Sequence, residues 1–102
     1  MHRALLILAV VALPSWAEAQ SFNCRYARYA DEITICDDAE LSRLDERMSR
    51  LFYDVRASVW GRERAVLDAE QADWLDSRRT CRRDPGCIED AYRQRIRELR
   101  RF

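Results

Sequence analysis

Four cysteines, Cys24, Cys36, Cys81 and Cys87, carry the clearest covalent chemistry in this 102-residue sequence. In so short a chain they read as two disulfides. Three pairings exist, and the local one, Cys24–Cys36 with Cys81–Cys87, is expected. Residues 82–86, Arg-Arg-Asp-Pro-Gly, contain a turn sequence that can bring together two sulfurs a straight helix would hold about 9 Å apart. Each bond should contribute roughly 2–3 kcal/mol by constraining the unfolded chain. The cysteine spacings are not those of a zinc knuckle. No metal and no cofactor is expected.

The same loop carries Arg82 and Arg83. Guanidinium groups pair with carboxylates through two parallel hydrogen bonds, so a rigid tip bearing two of them could enter an acidic cleft. Their plainer role is to cap the helix before them. A second polar group sits among apolar residues. Asp45 lies four residues after Leu41 and next to Leu44, so it is expected to be at least half buried. A buried carboxylate needs a partner. Arg78, on the face of Gln71 and Trp74, and Arg95, on the face of Tyr92 and Ile96, are the expected partners. With Glu32 they form a structural polar network.

Catalytic signals are sparse. His2 is the only histidine, and all 18 basic residues are Arg. Without that histidine the chain has neither the usual neutral-pH base nor a Schiff-base amine. Asp37 and Asp38 are adjacent and point in different directions. No phosphate loop or metal motif is present. The chain is therefore expected not to be an enzyme. The 18 Arg are balanced by 18 acids, which excludes nucleic-acid binding through bulk positive charge.

Helices must position these groups. Residues 1–19 read as a secretory signal peptide: Arg3, the apolar run from Ala4 to Leu13, Pro14, then Ala17-Glu18-Ala19 as the cleavage pattern. Residues 20–102 would be the mature domain, without His and with 17 Arg against 17 acids. It would be periplasmic or secreted, with no stable membrane anchor. Ser21-Phe22-Asn23 before Cys24 does not fit a lipid-attachment site.

The mature periodicity is helical almost throughout. Tyr26 to Ile35 reads as a short helix that turns back through Cys24–Cys36. The main helices are expected at about 39–59, 62–82 and 87–100. Asp37 is the expected N-cap of the first of these, with Glu40 completing a capping box. Leu41, Leu44, Met48, Leu51, Phe52, Val55 and Val59 form its apolar stripe. Gly61 breaks it, Pro85-Gly86 ends the second, and Trp60 is expected in the core. Seven acids against Arg43 in residues 31–46, and five Arg against Glu98 in residues 93–101, follow the helix dipoles. The fold class is all-α, a small disulfide-stapled bundle.

Several fragments, in order and spacing, resemble the LprI-like lysozyme-inhibitor domain family of small exported bacterial proteins. They are Cys24, Glu32-Ile33-Thr34-Ile35-Cys36, Leu41, Leu44-Asp45 and Tyr53. Gln71, Trp74-Leu75, Arg78 and Cys81 follow, then Cys87, Tyr92, Arg95-Ile96 and Leu99. Some family members carry a further domain after this module. The resemblance covers essentially the whole mature chain. It implies an exported, all-helical domain and a partner such as lysozyme or another cell-wall hydrolase. It assigns nothing to Arg82 or Arg83. The alternative is an envelope protein-interaction module without inhibitory activity.

Overall fold

The computed structural model describes residues 21–102. The expected signal peptide, residues 1–19, lies outside the described residues. A 3-10 turn at Cys24–Tyr26 is followed by α1 (Ala30–Asp37), α2 (Ala39–Ser58), α3 (Gly61–Arg79) and α4 (Pro85–Leu99). No strand occurs among the described residues, and the expected all-α bundle is observed.

Local sequence sets each boundary. Between the turn and α1 the backbone leaves the helical conformation at Ala27 and is extended at Tyr29. The expected helix from Tyr26 is therefore corrected to a start at Ala30. Glu32 fixes that start by accepting from the backbone N–H groups of Arg28 (3.2 Å) and Tyr29 (3.1 Å). Cys24 and Cys36 are bonded with Cα atoms 5.8 Å apart, which folds the turn against α1.

The cap of α2 is also corrected. Asp37 still belongs to α1, and Asp38 is the extended residue between the helices. Asp38 accepts from the N–H groups of Glu40 (2.9 Å) and Leu41 (3.1 Å). A side chain can cap only from a non-helical residue whose oxygen faces the open N–H groups.

At the far end of α2, Val59 and Trp60 are extended, and Gly61 opens α3 with φ +60°. That angle is cheap only for glycine. The turn holds Val59 in the core but leaves Trp60 78% exposed. Core packing of Trp60 is thus corrected: the residue is extended and its side chain exposed where the chain passes from α2 to α3.

The second helix ends at Arg79, not 82, and the last begins at Pro85, not 87. Asp84 caps α4 by accepting from Gly86 (3.0 Å) and Cys87 (3.2 Å). Pro85 takes the first helical position, where a missing N–H costs nothing. The Asp-Pro-Gly segment therefore starts a helix rather than making the turn. The turn residue is Arg82, with φ +54°.

The core is continuous. Leu41, Leu44, Met48, Phe52 and Val55 of α2 meet Ile88, Tyr92, Ile96 and Leu99 of α4, and α1 adds Ile35. The seam between α2 and α4 is the largest helix contact, and α3 rests mainly on α4. The apolar contribution of α3 is thin, chiefly Leu67 and Trp74. Polar bonds tie α3 to α2: Arg56 forks onto Asp68 at 2.9 and 3.0 Å, and Arg64 donates to the Val59 carbonyl.

Capping chemistry separates two adjacent acids here. Asp38→Ala should cost about 1 kcal/mol, the usual value of an N-cap, while Asp37→Ala should cost less than about 0.5 kcal/mol. Urea denaturation of the two variants checks the assignment, and equal losses would contradict it.

Candidate functional site

Two features stand apart from ordinary packing: a charged cluster inside the bundle and a disulfide-closed tip at its end. The cluster draws one residue from each helix. Asp31 of α1, Asp45 of α2, Arg78 of α3 and Tyr92 of α4 are all buried. Arg78 Nε donates to Asp31 Oδ2 at 2.8 Å, and Nη1 donates to the Tyr92 hydroxyl at 3.0 Å. That hydroxyl donates in turn to Asp45 Oδ1 at 2.8 Å. Arg78 Nη1 lies 3.8 Å from the same oxygen. Ser21 closes the site, giving its backbone N–H to Asp45 Oδ2 and its hydroxyl to Oδ1, both at 2.7 Å.

Rings enclose the guanidinium. Its carbon is 5.6 Å from the Phe22 ring centroid, 5.5 Å from Trp74 and 5.7 Å from Tyr92. Such faces attract a cation. Burial alone would lower the Arg78 pKa. Tyr92, Asp31 and Asp45 together outweigh it and raise the value, so Arg78 stays charged. Burial, reinforced by Asp45, pushes the Tyr92 phenol far above its ordinary range. The phenol thus remains a neutral relay between guanidinium and carboxylate.

Of the two expected partners of Asp45, the structure places Arg78 beside it and Arg95 elsewhere. Arg95 is 1% exposed and donates to Gln71 Oε1 at 2.8 Å and Glu98 Oε2 at 3.0 Å. Gln71 also donates to the Met48 sulfur at 3.4 Å, and the Trp74 indole donates to the Ala91 carbonyl at 3.0 Å. Glu32 stays at the α1 cap. Asp31 and Ser21 were not singled out from the sequence. Asp31 does sit four residues before Ile35, the buried residue of the same helix face. The dense acidic run around it hid that signal.

At the tip, Cys81 and Cys87 are bonded with Cα atoms 5.4 Å apart. The bond joins the end of α3 to the first turn of α4. Arg82 and Arg83 are exposed on the loop it closes. Nearby, Arg79 lies over the Tyr29 ring, 3.9 Å from its centroid. Among the described residues no group of His, Cys, Asp or Glu could hold a metal ion.

Lipoprotein LprI of Mycobacterium bovis is 30% identical to this chain over 104 aligned positions. The Lipoprotein LprI sequences of two Mycobacterium tuberculosis strains match equally. The alignments take in 94% of this chain and 51% of each relative. Over that region the chain is similar to Lipoprotein LprI. It spans about half the length of the curated relatives it matches. No family model matches the chain, and no solved structure does.

The residues that carry the LprI-like resemblance now have places. The cysteines form the two staples, and Leu41, Leu44, Ile96 and Leu99 build the core. Asp45, Arg78 and Tyr92 make the cluster. Tyr53 departs from this pattern and is exposed, its ring edge-on to Phe52 at 5.3 Å.

The LprI-like cluster should be the most sensitive polar site to truncation. Arg78→Met should lose about 3–5 kcal/mol, because two buried carboxylates are left without their cation. Tyr92→Phe should lose about 1.5–3 kcal/mol, the worth of a hydrogen bond to a charged group. Equilibrium unfolding in urea reads both, and a loss below about 0.5 kcal/mol for Arg78→Met would show the cluster to be solvated.

Proposed function

We propose that this chain is an exported inhibitor of lysozyme or a related cell-wall hydrolase, acting by binding rather than by catalysis. The observation that carries this reading is the tip between Cys81 and Cys87. It presents two exposed guanidinium groups on a loop closed by a disulfide and ended by Pro85, which opens α4. A glycoside hydrolase cleft holds two carboxylates. Arg82 and Arg83 match that chemistry, and a preformed loop loses little entropy on binding. The similarity to proteins named as lipoproteins supports export, as do two disulfides, which persist in oxidising compartments. Cleavage after Ala19 would release the domain into the periplasm or medium. No helix among the described residues is long and apolar enough to cross a membrane.

The chain titrated into a lysozyme turnover assay should inhibit saturably. Replacing Arg82 and Arg83 together with Ser should weaken inhibition about tenfold or more, since charge-assisted bonds contribute roughly 1.5–3 kcal/mol each. The melting temperature should hardly move. Unchanged inhibition by a stably folded double variant would remove the tip as the contact.

A second reading rests on Trp60. An indole this exposed, at the joint between α2 and α3, is a natural anchor for a protein partner. On that reading the chain is an envelope interaction module without inhibitory activity. Trp60→Ala should then abolish partner capture while leaving stability within about 0.5 kcal/mol. Inhibition lost in Trp60→Ala but kept in the double Arg variant would move the contact to this joint.

A further inference from the structure

The seam between α2 and α4 carries positive charge on its outer side. Two shallow clefts of about 180 and 150 Å³ open along it. Both are lined by Leu44, Arg47 and Arg93, so they form one groove. Arg43 flanks its first part, and Arg97 and Arg100 flank its second. All five arginines are exposed. Only Glu40 and Glu89 oppose them in the lining, and Glu89 is already paired with Arg93 at 2.8 Å. The side chains of Arg43, Arg47, Arg97 and Arg100 make no ion pair or hydrogen bond with another described residue.

Folding does not ask for this arrangement. Arg43 and Arg47 lie one turn apart on α2, and Arg93, Arg97 and Arg100 follow at steps of four and three on α4. Like charges at that spacing repel. The dipole of α4 favours Arg97 and Arg100 near its C-terminal end, but that of α2 offers nothing to Arg43 and Arg47 in its first half.

Shape and lining narrow the ligand. Guanidinium forks match phosphate oxygens, and the groove presents them from both of its walls. A partner α-helix is about 10 Å across, too wide for clefts of this volume. A flat bilayer would touch only the rims, and Trp60 and Phe102, exposed side chains that could enter one, do not line the groove. No aromatic ring lines it either, so nucleic-acid bases would find nothing to stack on.

We propose that this groove binds a single strand of a base-free phosphodiester polymer, a polyol- or sugar-phosphate chain, with its phosphates held between the arginines of α2 and α4. The attraction is local, so the chain's net charge of zero does not oppose it. Arg82 and Arg83 lie outside the groove, and the proposal is independent of the inhibitory reading.

The probe is a fluorescently labelled synthetic oligo(glycerol phosphate), titrated with the full chain and followed by anisotropy. Log K should fall against log salt with a slope of about −0.7 per phosphate neutralised, or about −3 for the four unpartnered arginines. Replacing Arg47 and Arg97 together with Gln should weaken binding about tenfold or more and flatten the slope by about 1.4. The melting temperature should hardly move, because both side chains are exposed. Replacing Arg82 and Arg83 together with Ser should leave this binding unchanged. Oligothymidylate of equal charge should bind no more tightly. Phosphatidylglycerol vesicles should not distinguish the Arg47/Arg97 variant from the unaltered chain. If that variant fails to fold, the salt slope of the unaltered chain and the tip variant decide. A slope flatter than about −1 would overturn the proposal. So would full affinity in the folded Arg47/Arg97 variant, binding lost with Arg82 and Arg83, tighter binding of oligothymidylate, or vesicle binding that needs Arg47 and Arg97.

Discussion

Two carboxylates and one guanidinium inside a bundle of about 80 residues constrain everything around them. Charges buried this deeply are tolerated only when each finds a partner. Asp31, Asp45, Arg78 and Tyr92 come from four different helices, so one set of hydrogen bonds fixes four elements at once. Apolar packing between α2 and α4 supplies most of the attraction but accepts sliding and rotation. The cluster does not, because a shift of an ångström would strand a charge. It therefore selects one arrangement among several that a similar apolar area could reach.

That division of labour explains α3. Its apolar face is too thin to dock by burial alone, and much of what holds it is polar. Arg78 anchors its C-terminal end, Gln71 meets Arg95 midway, and Asp68 and Arg64 tie its first half to α2. The Cys81–Cys87 bond then fixes the exit from the helix. A tip that is to present Arg82 and Arg83 in one orientation needs this support.

Periodicity made the helices legible, and the core lining of α2 and α4 followed from it. The cysteine pairing was legible because only five residues separate Cys81 from Cys87, although the turn falls at Arg82 and not at Asp-Pro-Gly. Boundaries were harder. Asp37 and Asp38 are equally good caps by residue type, and only the end of α1 decides between them. Asp-Pro-Gly favours a turn and a helix start alike. Trp60 looked like core because its size favours burial, yet it lies in the short joint before Gly61 and is exposed. Asp31 was invisible for a different reason. Seven acids lie in residues 31–46; Asp45 was set apart by the apolar residues Leu41 and Leu44, and nothing comparable set apart Asp31. The LprI-like resemblance pointed to Asp45, Arg78 and Tyr92 without showing that Asp31 and Ser21 complete their bonds.

The two disulfides both close within a half of the chain. Cys24–Cys36 lies before α2, and Cys81–Cys87 joins α3 to α4. No covalent link other than the backbone at Val59–Gly61 connects the halves. A single cut there would yield two fragments, each with its own internal crosslink. One would carry Asp31 and Asp45, the other Arg78 and Tyr92. In the terms of fragment complementation, each piece would hold the counter-charges of the other, together with its side of the α2–α4 seam. The same separation opens a route to exchange: two copies could trade C-terminal halves about this joint without breaking a sulfur–sulfur bond.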